Sequence, residues 1–181
     1  MSNIAVVYKS DYGAARCYAI YIAKALGADL YDLRRIREFD FSRYGTVIFG
    51  GGLYAGRING LHFIVSHGAE LADKKLVVYT TGLMDPALEA NFRRTENAVR
   101  RALPDTLMEK AAVFCFRGAI DYSELSFGHR VAMRGLRRFL LTKKADRLSP
   151  DERTILETYG KSVSFIDTST ADPLITYIKD N

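Results

Sequence analysis

The apolar positions of this chain fall into two kinds of run. Ile4-Ala5-Val6-Val7-Tyr8, Thr46-Val47-Ile48-Phe49, Leu76-Val77-Val78-Tyr79 and Ala111-Ala112-Val113-Phe114-Cys115-Phe116 are unbroken, largely β-branched or aromatic stretches of strand length. A strand covered by helices on both faces reads this way, because neither face has to meet water. Between them the spacing changes. After Ser10-Asp11-Tyr12-Gly13, the residues Tyr18, Ala19, Ile22 and Leu26 recur at helical intervals up to Gly27, which stands where a helix C-cap is expected. The second run breaks at Gly50-Gly51-Gly52, and a loop reaching Gly60 leads to a helix-like stretch over 61–71. The third turns at Thr80-Thr81-Gly82 and enters a helix after Asp85-Pro86, a proline at the first helical position being well tolerated. The fourth ends at Arg117-Gly118.

Asp29-Leu30-Tyr31-Asp32-Leu33 is a short alternating segment, as expected of an edge strand, while 126–145 and 149–160 read as helices and 173–178 as a last helical turn or two. Strand and helix alternate throughout. That order predicts an α/β fold with a doubly wound, five-stranded parallel sheet between two helical layers, a three-layer α/β/α arrangement occupying 1–181 as one domain.

Composition narrows the class only a little. The 181 residues are 48% apolar and 26% charged, which suits an ordinary folded chain. No run of about 18 apolar residues occurs without a charge, so no spanning helix is expected. Met1 to Tyr8 show neither a basic leader nor a cleavable apolar stretch, and Cys17 and Cys115 stand far apart in apolar surroundings, so a reducing, cytoplasmic location is expected. The net charge of +5 is modest, and its distribution matters more than its size.

In an open parallel sheet, ligands bind beyond the carboxyl ends of the strands. Three loops lie there. The first, Ser10, Asp11, Tyr12, Gly13, Ala14 and Ala15, joins a buried strand to a helix, so free N–H groups and the positive end of the helix dipole converge on it as an anion site, with Lys9 nearby. Its spacing matches neither GxGxxG nor GxxxxGK[ST], so a single phosphate fits better than a dinucleotide or a triphosphate. The second, Gly51, Gly52, Leu53, Tyr54, Ala55 and Gly56, spends glycine where it gives no packing, which implies close approach by a ligand or by backbone. Tyr54 is placed to lie against a planar ring, and Thr80, Thr81 and Gly82 to form the opposite wall.

With these loops in place the chain resembles the flavodoxin family, and within it the branch that includes the menaquinone-dependent protoporphyrinogen dehydrogenases. The resemblance covers nearly the whole chain. It rests on Val6-Val7-Tyr8-Lys9-Ser10-Asp11-Tyr12-Gly13, on Val47-Ile48-Phe49-Gly50 leading to Tyr54-Ala55-Gly56, and on Val77-Val78-Tyr79-Thr80-Thr81-Gly82. It implies a flavodoxin-like fold and a flavin mononucleotide (FMN) cofactor. By the same resemblance the first loop holds the phosphate, the second and third sandwich the ring, and Tyr54 stands at the usual stacking position. Flavodoxins commonly carry Thr/Ser-x-Thr-Gly-x-Thr in the phosphate loop, where this chain reads Ser10-Asp11-Tyr12-Gly13-Ala14-Ala15 and lacks two hydroxyl donors.

Residues 126–147 hold Arg130, Arg134, Arg137, Arg138, Lys143, Lys144 and Arg147 against the single acid Asp146. A helix there sets Ala132, Leu136, Phe139 and Leu140 on one face beside an arginine-rich one, as in helices that lie on anionic lipid or dock an acidic protein. His62, His67 and His129 stand apart from any metal-ligand spacing and are given no role, no GxSxG elbow marks a hydrolase, and no nucleic-acid reading motif accompanies the basic stretch. The sequence therefore points to an FMN-binding electron-transfer protein whose partner is a redox protein or a quinone, with peripheral membrane contact through 126–145. A quinone-linked oxidoreductase acting on a porphyrinogen-like substrate and a flavin-free binding module of the same fold are the alternatives, and no catalytic residue is assigned.

Overall fold

The computed structural model describes residues 2–54 and 56–180. The predicted strands form at Ile4–Lys9 (β1), Asp29–Asp32 (β2), Thr46–Tyr54 (β3), Lys75–Gly82 (β5) and Ala111–Arg117 (β6), all parallel, in the order β2-β1-β3-β5-β6. From β1 the chain first moves outward to β2 and then back across to β3. That reversal opens a crevice at the carboxyl ends of β1 and β3.

Side chains alternate across the sheet and feed two cores. Ala5, Val7, Val47, Phe49, Leu76 and Val78 pack on one face against Ile64, Val99, Leu103 and Leu107. These belong to, or directly follow, helices His62–Ser66 (α2), Glu89–Ala102 (α3) and Asp105–Met108 (α4). On the other face Val6, Tyr8, Ile48, Val77, Tyr79 and Phe116 meet helices Ala14–Leu26 (α1) and Asp172–Lys179 (α7). Burying a Val, Ile, Leu or Phe stabilises by about 1.5–3 kcal/mol, so these two layers dominate the fold. The expected three-layer α/β/α arrangement is therefore present.

Several boundaries differ from the expectation. The second apolar run does not break at Gly50: β3 continues through all three glycines to Tyr54 and pairs antiparallel with Arg57–Ile58 (β4). A short hairpin thus replaces the expected open loop. The helix expected over 61–71 is only the five residues of α2, followed by turns. Beyond β6 the chain adds Ala119–Asp121 (β7), helices Phe127–Leu141 (α5) and Pro150–Thr158 (α6), and Ser162–Ser164 (β8), with β7 and β8 pairing antiparallel. Three-residue strands carry too little alternation to be read from sequence.

The centre of the sheet explains Gly50. A Cβ there would lie 1.9 Å from the Tyr79 ring, whose hydroxyl donates to the Ala15 carbonyl oxygen at 2.7 Å. Gly51 and Gly52 likewise make room for the chain itself, since Cβ atoms there would lie 2.4 Å from the Asn59 carbonyl oxygen and 2.5 Å from the Tyr54 hydroxyl. Gly50→Ala is expected to destabilise the fold by about 3 kcal/mol through overpacking. Gly135→Ala, in the middle of α5 with open space around it, should instead stabilise by about 0.5–1 kcal/mol. Urea denaturation of the two variants tests both signs.

Candidate functional site

The first loop is built around one residue. Gly13 adopts φ 88°, a left-handed conformation that turns the chain from Tyr12 into α1, and it caps the helix without any side-chain hydrogen bond. No acid stands in the first turn. The opening N–H groups of α1 are thus left without a capping side chain, at the positive end of its dipole, and a Cβ at Gly13 would meet nothing within 4 Å. Ala14 and Ala15 are buried beneath this turn, as is Ser10. Lys9 runs beside Gly60 and Leu33, since a Cβ at Gly60 would fall 2.8 Å from its own Cβ. Asp11 accepts a hydrogen bond from Asn59 Nδ2 at 2.7 Å, which ties the first loop to the hairpin of the second.

Tyr12, Tyr54 and His129 form a ring cluster at the mouth of the crevice. Tyr12 meets Tyr54 edge-on at 5.7 Å, and the imidazole of His129 lies 4.8 Å from Tyr54 at a tilt of 32°. The Tyr12 hydroxyl sits 2.6 Å from His129 Nδ1 and accepts the Ser126 N–H at 3.2 Å. The Ser126 hydroxyl in turn accepts the His129 N–H and caps α5. The planar group that Tyr54 faces among the described residues is therefore His129. Burial, and then the charges of Asp11 and Tyr12, push the Tyr54 phenol well above its ordinary range, so it stays protonated at neutral pH.

Behind this cluster lies a chamber of about 430 Å³. Its volume falls within the usual span of small-molecule sites, about 300–1,000 Å³. Thr80, Thr81 and Gly82 form its floor, and Tyr12, Ala14, Leu53, Tyr54 and Gly56 its entrance side. Gly118 also lines it: its N–H donates to the Gly82 carbonyl oxygen at 2.7 Å, and a Cβ on it would lie 3.5 Å from the Ala14 Cβ. The roof is α5 and α6, through Met133, Leu136 and Ile155.

Of the residues singled out from sequence, Tyr12, Ala14, Leu53, Tyr54, Gly56, Thr80, Thr81 and Gly82 line this chamber. Ser10, Asp11, Gly13, Ala15, Gly51 and Gly52 stand outside its lining, and Ala55 lies outside the described residues. His129, which was given no role, is part of the wall, as are Leu83, Met84 and Cys115. A usable signal existed: His129, Met133, Leu136 and Leu140 recur at helical spacing, and they are the less exposed residues of α5. The predicted apolar face was misplaced in part. Leu136 and Leu140 turn inward and Ala132, although exposed, borders the chamber, but Phe139 is 58% exposed.

Polar contacts hold the roof in place. The buried carboxylate of Asp151, in the first turn of α6, accepts hydrogen bonds from the Asn91 side-chain amide and, at 3.1 Å, from the Asp85 N–H. Ser149 and Glu152 form a capping box, and Lys143 pairs with Glu152 at 2.6 Å. Among the described residues no group of His, Cys, Asp and Glu is placed to hold a metal ion, and no helix is long and apolar enough to cross a membrane.

A model of the flavodoxin domain family matches residues 5–147. Among solved structures, the chain is similar to a candidate flavoprotein from Bacteroides eggerthii, at 14% identity over 73% of this chain and 96% of that one, with a TM-score of 0.48. It is also similar to the Trp repressor binding protein from Bacillus subtilis, at 13% identity over 64% and 82% of the two chains, with a TM-score of 0.43. A flavodoxin, WrbA-like protein from Agrobacterium tumefaciens aligns at 21% identity over 71% and 88%, with a TM-score of 0.43. No curated protein matches the sequence.

Two outcomes are expected. Tyr12→Phe removes the hydroxyl that joins the first loop to His129 and Ser126, so amide hydrogen exchange in α5 should quicken by roughly tenfold, as for loss of about one hydrogen bond. Burial raises the Cys115 thiol above its ordinary range, outweighing the opposing hydrogen bonds with Thr80 and Thr95. A disulfide reagent at pH 8 should therefore modify the exposed Cys17 well before Cys115, and unfolding should abolish the difference.

Proposed function

The chain belongs to the flavodoxin domain family, and on that premise we propose that it binds FMN at the carboxyl ends of β1, β3 and β5 and serves in electron transfer. One observation carries the reading: the uncapped, left-handed turn at Gly13 adjoins, through Ala14, a largely apolar chamber floored by Thr80, Thr81 and Gly82. An anion and a flat ring system joined by a short linker match that pairing of a helix N-terminus with a chamber.

The residues present fit such a group. The first-turn amides of α1 and the αL turn at Gly13 suit a phosphate, and the space beside Gly13 is open to it. Thr80 and Thr81 bring hydroxyl-bearing side chains to the chamber lining, their backbone groups being taken up by pairing with β3 and β6, while Tyr54 presents a protonated phenol. When bound, a flavin supplies one- and two-electron chemistry. The protein binds, orients and shields. Helix α5 roofs the chamber against water, and Asn59 holds the Asp11 carboxylate by hydrogen bond. Asp11, a residue of the phosphate loop itself, would still oppose a dianion, a like charge at high effective dielectric costing on the order of 1 kcal/mol.

A second reading has its own support. The chamber continues past the floor beneath α5 and α6, where Leu83, Met84, Met133, Leu136 and Ile155 line it. That apolar extension suits an acceptor such as a quinone better than a soluble redox protein, and it favours a quinone-linked flavin oxidoreductase. A cytoplasmic setting agrees with two cysteines that are both unpaired.

Titration of the purified chain with FMN should quench flavin fluorescence with a Kd of about micromolar order. Asp11→Asn should tighten binding by about three- to tenfold, because it removes the like charge and leaves the Asn59 contact an oxygen acceptor. Fluorescence that stays unquenched for both proteins would leave the flavin-free module as the reading. Reoxidation of the reduced holoprotein by a soluble quinone, but not by an oxidised carrier protein, would select the oxidoreductase.

A further inference from the structure

The outer face of α5 is built differently from the rest of the surface. Along it Phe127, Val131, Arg134, Arg138 and Leu141 follow at i, i+4, i+7, i+11 and i+14, so they form one row turned away from the chamber. Phe127 is 84% exposed, and Val131 and Leu141 are each more than half exposed. Phe139 adds a fourth apolar group on the flank. Most of the large hydrophobic residues exposed on the described surface therefore stand on this one helix.

Charge on this face has one sign. Helix α5 contains no Asp or Glu, and it carries Arg130, Arg134, Arg137 and Arg138. Arg130 donates to the Leu125 carbonyl oxygen and Arg137 lies over the Tyr159 ring at 4.9 Å. Arg134 and Arg138, in the middle of the apolar row, make no hydrogen bond or ion pair with the protein among the described residues. Just past the helix, Thr142, Lys143, Lys144 and Arg147 line a shallow cup. Among the described residues only Lys143 there is paired with an acid, Glu152.

We propose that this face docks on an anionic lipid bilayer, with Phe127, Val131 and Leu141 entering the headgroup and acyl boundary and Arg134, Arg138, Lys144 and Arg147 meeting lipid phosphates. Charge complementarity selects the occupant. A row of acid-free cations interleaved with protruding apolar groups, about 20 Å long in a helix of this length, meets both requirements of an interfacial helix at once. An acidic protein satisfies the arginines but must also carry a pocket fitted to each of Phe127, Val131 and Leu141, whereas the acyl boundary takes any protruding apolar group. The helix is too short to span, so the contact is peripheral. The same helix roofs the chamber, so docking sets the mouth of the site close to the membrane surface.

The inference does not depend on flavin binding, and its test is run without flavin. The full chain is spun with vesicles of phosphatidylcholine alone and with vesicles of equal parts phosphatidylcholine and phosphatidylglycerol. The native chain should sediment with the anionic vesicles and stay in solution with the neutral ones. Arg134→Glu with Arg138→Glu should lower partitioning by more than about tenfold. Phe127→Ser with Leu141→Ser, which leaves every cation in place, should lower it by about tenfold as well. Circular dichroism of the variants matching the native spectrum assures that a folded chain is compared. Failure of the native chain to bind anionic vesicles overturns the proposal. So does undiminished binding by the Phe127 and Leu141 variant, which marks a surface for polyanions or acidic proteins rather than for lipid.

Discussion

The Tyr79 side chain, lying in the space that Gly50 leaves and ending on the Ala15 carbonyl oxygen, sets the position of nearly everything else at the site. It joins β3, β5 and the first turn of α1 at one buried point. A fully buried phenol needs a partner for its hydroxyl, and that need fixes where α1 begins relative to the sheet. The uncapped amides of α1 are held there as a consequence, above the crevice between β1 and β3. Because β1, β3 and β5 are buried on both faces, polar ligand groups find room only at their carboxyl ends.

Beyond β6 the principle of construction changes. The sheet and its flanking helices rest on two apolar cores, whereas α5 and α6 bury only Leu140 and Asp151. What fastens them is polar: Tyr12 to His129 and Ser126, Asp151 to Asn91 and Asp85, and Lys143 to Glu152. The neutral contacts contribute about 0.5–1.5 kcal/mol net each and those of the Asp151 carboxylate about 1.5–3, so a handful of them stands against two whole apolar cores. A roof held this way opens at lower cost than the sheet unfolds.

The difference between these two parts also governs what was readable from the sequence. The central strands of the parallel sheet carry strong signals, since burial on both faces forces unbroken apolar runs, and the alternation of Asp29 to Leu33 marks β2 as an edge, whereas β6, also an edge, reads like a core strand. The turn at Gly13 and the cap at Gly27 were legible as glycines at the ends of a helical pattern, and both adopt the left-handed conformation that glycine takes without strain. Gly50, Gly51 and Gly52 were misread as a break in the strand. Their role depends on Tyr79, the Asn59 backbone and the Tyr54 ring, which are distant in sequence or folded back in a way that no local pattern records. His129 was missed for a related reason: its partners Tyr12 and Tyr54 lie more than seventy residues earlier, and only the docking of α5 brings them together.

Helix α5 shows how a single segment carries two unrelated requirements. Its inner row, His129, Met133, Leu136 and Leu140, contributes chamber wall and one buried anchor, so it needs only a narrow apolar stripe. A helix serving packing alone would make the opposite face polar and mixed in charge. The outer row instead keeps Phe127, Val131 and Leu141 in water beside cations without acids, at a cost in solubility that the fold does not require. Nothing in the inner packing explains that row, because its side chains make no contact with the chamber. The two rows are thus separable: changes to the outer one leave the wall of the site intact, and changes to the inner one leave the charged face in place.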